Sequence, residues 1–157
     1  MANLQTLVDQ YLDGVTQLRQ AIAGMSRAQI VARPIAGKWS TLEVVAHLAD
    51  FDPILADRMK RVIAEDNPLL VGADENRFAA ALGYHDRDLE QELTIIDATR
   101  GQLARILRKL PESVLSRTGQ HNERGPRTLQ QLLETAVNHI NHHLKFIHEK
   151  RQALGLK

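Results

Sequence analysis

Apolar residues recur at helical spacing in four long segments of the chain. The first segment covers residues 4–23, where an apolar side chain falls every three or four residues, and Gly24 ends the pattern. A short helix is predicted after Ser26, because the Ser-x-x-Gln spacing that starts there is typical of a capping box. Pro34 and Gly37 then interrupt the chain before the next long segment.

The second long helix has a well-defined predicted start. Ser40 is a good N-cap, and Glu43 three residues later completes a Ser-x-x-Glu capping box. The apolar pattern continues to Ile63 and includes Pro53. A kink is predicted at this proline, because proline removes a backbone donor and clashes with the preceding turn. The segment "EDNPLLVG" ends the helix.

Two more long helices are predicted in the second half of the chain. The third covers about residues 86–110, and Pro111 stops it. The loop "SRTGQHNERGP" follows and is rich in turn-forming residues. Thr128 then caps the fourth helix, with a capping box to Gln131, and this helix is predicted to continue to about residue 154.

The four amphipathic helices predict an all-α fold, a four-helix bundle with a long connection between the second and third long helices. That connection has room for a short helix between Asp74 and Tyr84, and no segment has the pattern of a convincing strand. A length of 157 residues suits a single domain covering residues 1–157. The Leu, Ile and Val residues of the four helices are expected to form its core.

Composition narrows the possible functions. The formal net charge of +1 gives no electrostatic case for binding nucleic acid. No apolar run approaches the roughly 20 residues needed to cross a bilayer, and the N-terminal residues do not resemble a signal peptide, so the cytoplasm is the expected location. The chain has no cysteine, which excludes disulfides and a cysteine-based zinc site. Any metal must therefore be held by His, Asp or Glu.

The stretch "NHINHHLKFIH" in the fourth helix holds four of the seven histidines. On a helical wheel His143 falls inside the apolar stripe and His139 lies at its edge, whereas His142 and His148 lie outside it and are expected to face solvent. His139 and His143 are four residues apart, so their side chains share one helix face. Two imidazoles at this spacing can chelate one metal ion.

A metal site in a bundle needs a further ligand from a facing helix. His47 in the second helix is the best candidate, and periodicity allows an inward orientation for it without requiring one. Two alternatives, His85 and His121, are expected in loops. Asp50 and Glu43 are two more, one turn on either side of His47, and capping explains Glu43 better than metal binding does.

The segment "GKWSTLEVVAHLADFD", followed in the fourth helix by "TLQQLLETAVNHINHHLKF", resembles the DinB/YfiT-like superfamily of four-helix bundles. The resemblance covers residues 4–153. Its specific features are the Trp-Ser opening of the second helix, with a histidine seven residues after the Ser, and the His-x-x-x-His of the last helix. The resemblance implies a divalent metal ion, zinc or nickel in most cases, held by His47, His139 and His143.

The same resemblance implies two kinds of chemistry. Some relatives are transferases or isomerases that use a low-molecular-weight thiol such as bacillithiol, mycothiol or glutathione, and others are described as metal-dependent hydrolases. Three protein ligands leave a coordination position open, and a divalent cation there lowers the pKa of bound water to about 7 or deprotonates a bound thiol. A non-catalytic bundle that binds a metal or ligand is the remaining alternative.

Other candidate residues are less specific. Asp50, Glu43 and His142 are candidates for proton transfer, although no motif identifies a general base. The loop "GQHNERG" enters the fourth helix and is a candidate for the mouth of a pocket, with a solvated turn as the simpler interpretation. A small-molecule substrate and a homodimer are expected from the resemblance. The candidates for substrate binding are His121, Glu123 and Arg124 in the loop, and Trp39, for which helix packing is the favoured role.

Overall fold

The computed structural model describes residues 3–157. Within this range six α-helices and three short strands occur, together with 3₁₀ turns at Tyr84–Asp86 and Glu112–Ser116. In chain order the elements are α1 (Leu4–Ile22), α2 (Arg27–Val31), α3 (Thr41–Ala64), β1 (Leu69–Leu70), α4 (Glu75–Ala81), α5 (Leu89–Leu107), β2 (Thr118–His121), β3 (Gly125–Thr128) and α6 (Leu129–Ala153).

The four long helices α1, α3, α5 and α6 form the predicted four-helix bundle. Helix α3 packs on α5 and α6, and α1 packs on the same two helices. As a result α1 and α3 face each other diagonally, as do α5 and α6. This order differs from a simple up-and-down bundle, in which consecutive helices are neighbours.

The helix boundaries follow the capping residues. The Ser40 hydroxyl accepts from the Glu43 backbone N–H at 3.1 Å, and the Glu43 carboxylate accepts from the Ser40 N–H at 2.7 Å, so the predicted capping box is present. Helix α3 continues through Pro53 to Ala64. Helix α5 begins at Leu89, later than predicted, because the Asp88 side chain caps it.

The expectation that the chain has no strands is wrong. Strand β1 pairs in parallel with β2, and β2 pairs in antiparallel fashion with β3, so the segment predicted as a loop is a β-hairpin. These strands are too short to show alternation, and their Gly and Pro residues are rare in strands. The hairpin packs tightly on α3: a Cβ atom on Gly119 would lie 2.9 Å from side-chain atoms of Val62 and Leu70.

A fully buried ion pair lies inside the bundle. The Arg100 guanidinium of α5 donates to both carboxylate oxygens of Asp52 in α3. It also donates to the backbone carbonyl of Tyr11 at 2.7 Å and to that of Ala136 at 2.9 Å. One side chain therefore connects all four long helices. No helix within residues 3–157 is both long and apolar enough to span a membrane.

Candidate metal centre

Three histidines converge where α3 packs against α6. His47 from α3 meets His139 and His143 from α6, and each offers one ring nitrogen so that the three atoms lie within 4.8 Å of one another. The Nε2 atoms of His47 and His139 are 2.9 Å apart. Among residues 3–157 this is the one group of three or more His, Asp or Glu side chains with such geometry. His85 and His121, weighed above as ligands, lie outside it.

The three imidazoles are held in the neutral form. His47 is fully buried, His143 is 9% exposed and His139 is partly buried. Burial, the larger cause, and the charges of neighbouring histidines together lower the pKa of each ring to about 3. A neutral imidazole keeps the lone pair that binds a metal ion.

The donor set of the cluster fits a metal ion. The Nδ1 atoms of all three rings are buried and have no hydrogen-bond partner among the described residues. Placing one ring nitrogen from each of three histidines this close together is costly unless a common partner binds them. Three imidazole nitrogens form a donor set that suits zinc and also nickel, and they leave a coordination position for a further ligand.

Aromatic side chains surround His47. The ring centroid of Trp39 lies 5.3 Å from that of His47, and the Phe51 centroid lies 4.7 Å from it. Trp39 also meets Tyr84 edge to face at 6.0 Å. Trp39 therefore packs at the start of α3, and together with Phe51 it encloses the fully buried imidazole.

Two of the three candidates for proton transfer are occupied by ion pairs. The Asp50 carboxylate accepts from both terminal nitrogens of Arg87, at 3.2 and 3.1 Å. Glu43 belongs to the capping box and accepts from Arg33 at 3.0 Å. Burial alone would raise the pKa of Glu43, but the Arg33 guanidinium and the Ser40 N–H overcome this and lower it. These contacts give both carboxylates a structural role.

A cleft of about 650 Å³ opens beside the cluster. His139 and the exposed His142 line it on the side of α6, and the hairpin residues His121, Glu123 and Arg124 line it at one end. The structure thus brings these substrate-binding candidates to the same cleft as His139. Trp39 lies elsewhere: it lines a separate cavity of about 200 Å³.

The smaller cavity reaches the cluster from another side. His143 and the buried Lys150 line it together with Trp39 and Phe146. The Lys150 ammonium donates to the Phe146 carbonyl at 3.1 Å, and burial lowers its pKa. The histidine cluster therefore lies between two cavities, one bordered by His139 and the other by His143.

Glu75 was missed by the sequence analysis. It is the first residue of α4, and its Oε2 atom lies 4.0 Å from the Nε2 atom of His47. Arg58 and Arg127 also line the cleft and were not among the candidates. No sequence pattern indicates Glu75, because α4 lies in the long connection and its position depends on how that connection folds back.

Comparisons with known proteins agree with the fold and the sequence motifs. A family model described as the DinB superfamily matches residues 10–147. "Putative metal-dependent hydrolase OB0782" of Oceanobacillus iheyensis is 28% identical over 130 residues, which cover 83% of this chain and 75% of the relative. "Putative metal-dependent hydrolase YfiT" of Bacillus subtilis is 26% identical over 140 residues, which cover 88% of this chain and 79% of the relative.

The solved structure of that Bacillus subtilis protein is also similar. The TM-score is 0.89 at 24% sequence identity, and the match covers 98% of this chain and 89% of the other. Its fold is described as an unusual four-helix bundle topology, in agreement with the helix order found here. From the family match over residues 10–147, this chain belongs to the DinB superfamily.

Proposed function

We propose that this chain is a metal-dependent hydrolase that binds one divalent cation through His47, His139 and His143. The observation that carries the proposal is the convergence of three neutral imidazoles beside an open cleft. The names of the curated relatives, including the protein of Oceanobacillus iheyensis, support it. When bound, the cation would act as a Lewis acid that activates water for attack on a small-molecule substrate.

The residues of the chain would hold and shield the reacting groups. His47 is fixed by its burial in α3, and His139 and His143 are fixed one turn apart in α6. Phe51 packs on His47 and also lines the cleft, so it limits the access of bulk water from that side. Positioned imidazoles and a partly apolar wall are the preorganisation that hydrolysis needs.

Glu75 is our candidate for the general base. It lines the cleft, its carboxylate is the one acidic group of residues 3–157 within 4.0 Å of a His47 ring nitrogen, and no arginine or lysine pairs with it. Asp50 and Glu43 are less suitable, because arginines already bind them. In hydrolysis Glu75 would accept the proton of the attacking water and pass it to the leaving group. His142, exposed on the same cleft, is the alternative carrier.

Metal content and turnover test the proposal together. Mass spectrometry of the purified protein should find roughly one zinc or nickel ion per chain, as expected for one three-histidine site. His143→Ala should lose both the ion and the hydrolysis of p-nitrophenyl acetate, whereas His148→Ala, an exposed histidine of the same helix, should keep both. Wild-type protein without a stoichiometric divalent ion would contradict the proposal, as would turnover unaffected by His143→Ala.

A second candidate is S-transfer from a low-molecular-weight thiol. The two cavities favour it, because a two-substrate reaction needs separate access to one centre. The thiol sulfur would form a bond to an electrophilic carbon, the leaving group would depart with its electron pair, and a base would accept the thiol proton. Bacillithiol, mycothiol or glutathione with 1-chloro-2,4-dinitrobenzene tests this. Ester turnover without thiol would favour the hydrolase, and metal binding without either reaction would favour a non-catalytic bundle.

A further inference from the structure

One end of the cleft is lined by three arginines that have no carboxylate partner. Arg58 comes from α3, Arg124 from the hairpin turn and Arg127 from β3. Arg58 donates through Nε and Nη2 to the Val71 carbonyl, at 3.2 and 2.7 Å, so its guanidinium is fixed in place. None of the three arginines belongs to an ion pair among the described residues. We call this the arginine end of the cleft.

His121 adds a neutral hydrogen-bond donor at the same end. It is 6% exposed, and its Nδ1 atom accepts from the backbone N–H of Glu123 at 3.2 Å. Burial and the charges of Arg58, Arg124 and Arg127 lower its pKa, so the ring is neutral. With Nδ1 accepting, the single ring proton must be on Nε2. His121 and the three arginines therefore offer hydrogen-bond donors at the arginine end, where Glu123 is the neighbouring carboxylate.

Three carboxylates also line the cleft, but none cancels these charges by direct pairing. Glu134 accepts from Gln130 at 2.8 Å, and Glu75 lies beside His47. Glu123 packs against Gly72, where a Cβ atom would lie 2.6 Å from the Glu123 Cδ atom. The charge of Glu123 acts on Arg58 and His121 without a direct ion pair, so the guanidinium groups keep N–H donors that can bind an anion.

We propose that the arginine end binds an oxyanion of the substrate, a carboxylate or a phosphate, while the reacting bond lies at the histidine cluster. This rests on the proposed function, because it names the substrate class of the same site. Guanidinium groups match carboxylate and phosphate oxygens in geometry and bind them through charge-assisted hydrogen bonds. A cleft of about 650 Å³ accommodates a small molecule long enough to reach both ends.

Calorimetric titration of the 157-residue chain tests the proposal with three probes: glutarate, inorganic phosphate and the neutral glutaramide. We expect glutarate, phosphate or both to bind more tightly than glutaramide. Tighter binding of glutarate identifies a carboxylate site, and tighter binding of phosphate identifies a phosphate site. Arg127→Gln and Arg124→Gln should each weaken this binding about tenfold, the scale of one charge-assisted hydrogen bond. Arg105→Gln removes an exposed arginine of α5 outside the cleft and should leave it unchanged.

Repeating the titration after chelator treatment separates the arginines from a bound metal ion. Anion binding that persists and still depends on Arg127 supports the proposal. Anion binding that disappears with the metal overturns the proposal, and so does anion binding that Arg127→Gln leaves unchanged. The proposal also fails if both anions bind no better than glutaramide. This measurement needs neither metal nor turnover, so its failure is distinct from a failure of the proposed hydrolase, which metal content and ester cleavage decide.

Discussion

Arg100→Met perturbs the buried contact that connects the two histidine-bearing helices. The guanidinium binds the carboxylate of Asp52, shortly after His47 in α3, and the carbonyl of Ala136, one turn before His139 in α6. Both members of the ion pair are 0% exposed. Methionine retains much of the arginine's apolar volume, so the substitution mainly removes charge and hydrogen bonds.

The expected cost follows from the burial of Asp52. Without Arg100 the carboxylate stays in the interior with no counter-charge, and breaking such a pair costs about 3–5 kcal/mol. Because domains of this kind have an unfolding free energy of about 5–15 kcal/mol, this is a large fraction of the total. Replacing both partners, with Asp52→Leu added to Arg100→Met, removes the unpaired charge, and the double variant should recover most of the loss.

Urea unfolding followed by circular dichroism measures the stabilities of the wild type and of the single and double variants. A zinc competition assay with a chromophoric chelator measures metal affinity. We expect the double variant to recover stability while its zinc affinity stays reduced, because the connection to α6 is lost in both variants. A single variant that loses less than about 1 kcal/mol, or a double variant as unstable as the single, would refute the reasoning.

Three further perturbations test other parts of the structure. Glu43→Gln should cost about 1–2 kcal/mol by weakening the capping box and the Arg33 ion pair. Because the folded-state pKa of Glu43 is lowered, its contribution exists above the unfolded value of about 4.3 and is lost as pH falls, so urea midpoints of wild type and variant should converge in acid. Gly119→Ala should destabilise by about 1–3 kcal/mol through its close contacts, whereas Gly101→Ala, with open space around it, should stabilise by about 0.5–1 kcal/mol in thermal melts. Zinc at 1,000 times its Kd should stabilise the wild type by about 4 kcal/mol and leave His143→Ala unshifted, and an equal shift in both would argue against the site.

Local patterns were sufficient to predict the helices and part of the candidate site. The capping boxes that begin at Ser40 and Thr128 are present as expected, because their hydrogen bonds involve residues close in sequence. The relation between His139 and His143 is equally local, since both lie on one helix face. Their meeting with His47 required a second helix, and its periodicity alone left the orientation of that side chain open.

Tertiary contacts account for what sequence patterns could not predict. Arg100 belongs to an amphipathic helix in which an arginine would ordinarily face solvent, and only the nearby Asp52 and two carbonyls make its burial possible. Strand β1 escaped prediction because residues 69–70 pair with residues distant in sequence. Glu75 likewise reaches His47 only because the connection after α3 folds back on the bundle.

The helix order explains why the candidate site occurs where it does. In an up-and-down bundle the second and fourth long helices are diagonal, which would place His47 across the core from His139. Here α5 and α6 are diagonal instead, so α3 and α6 are neighbours and their histidines meet. The connection from α5 to α6 must then cross the end of the bundle, and it carries the β2–β3 hairpin with Arg127 to the cleft. The same topological change therefore assembles the three imidazoles and brings the arginine end beside them.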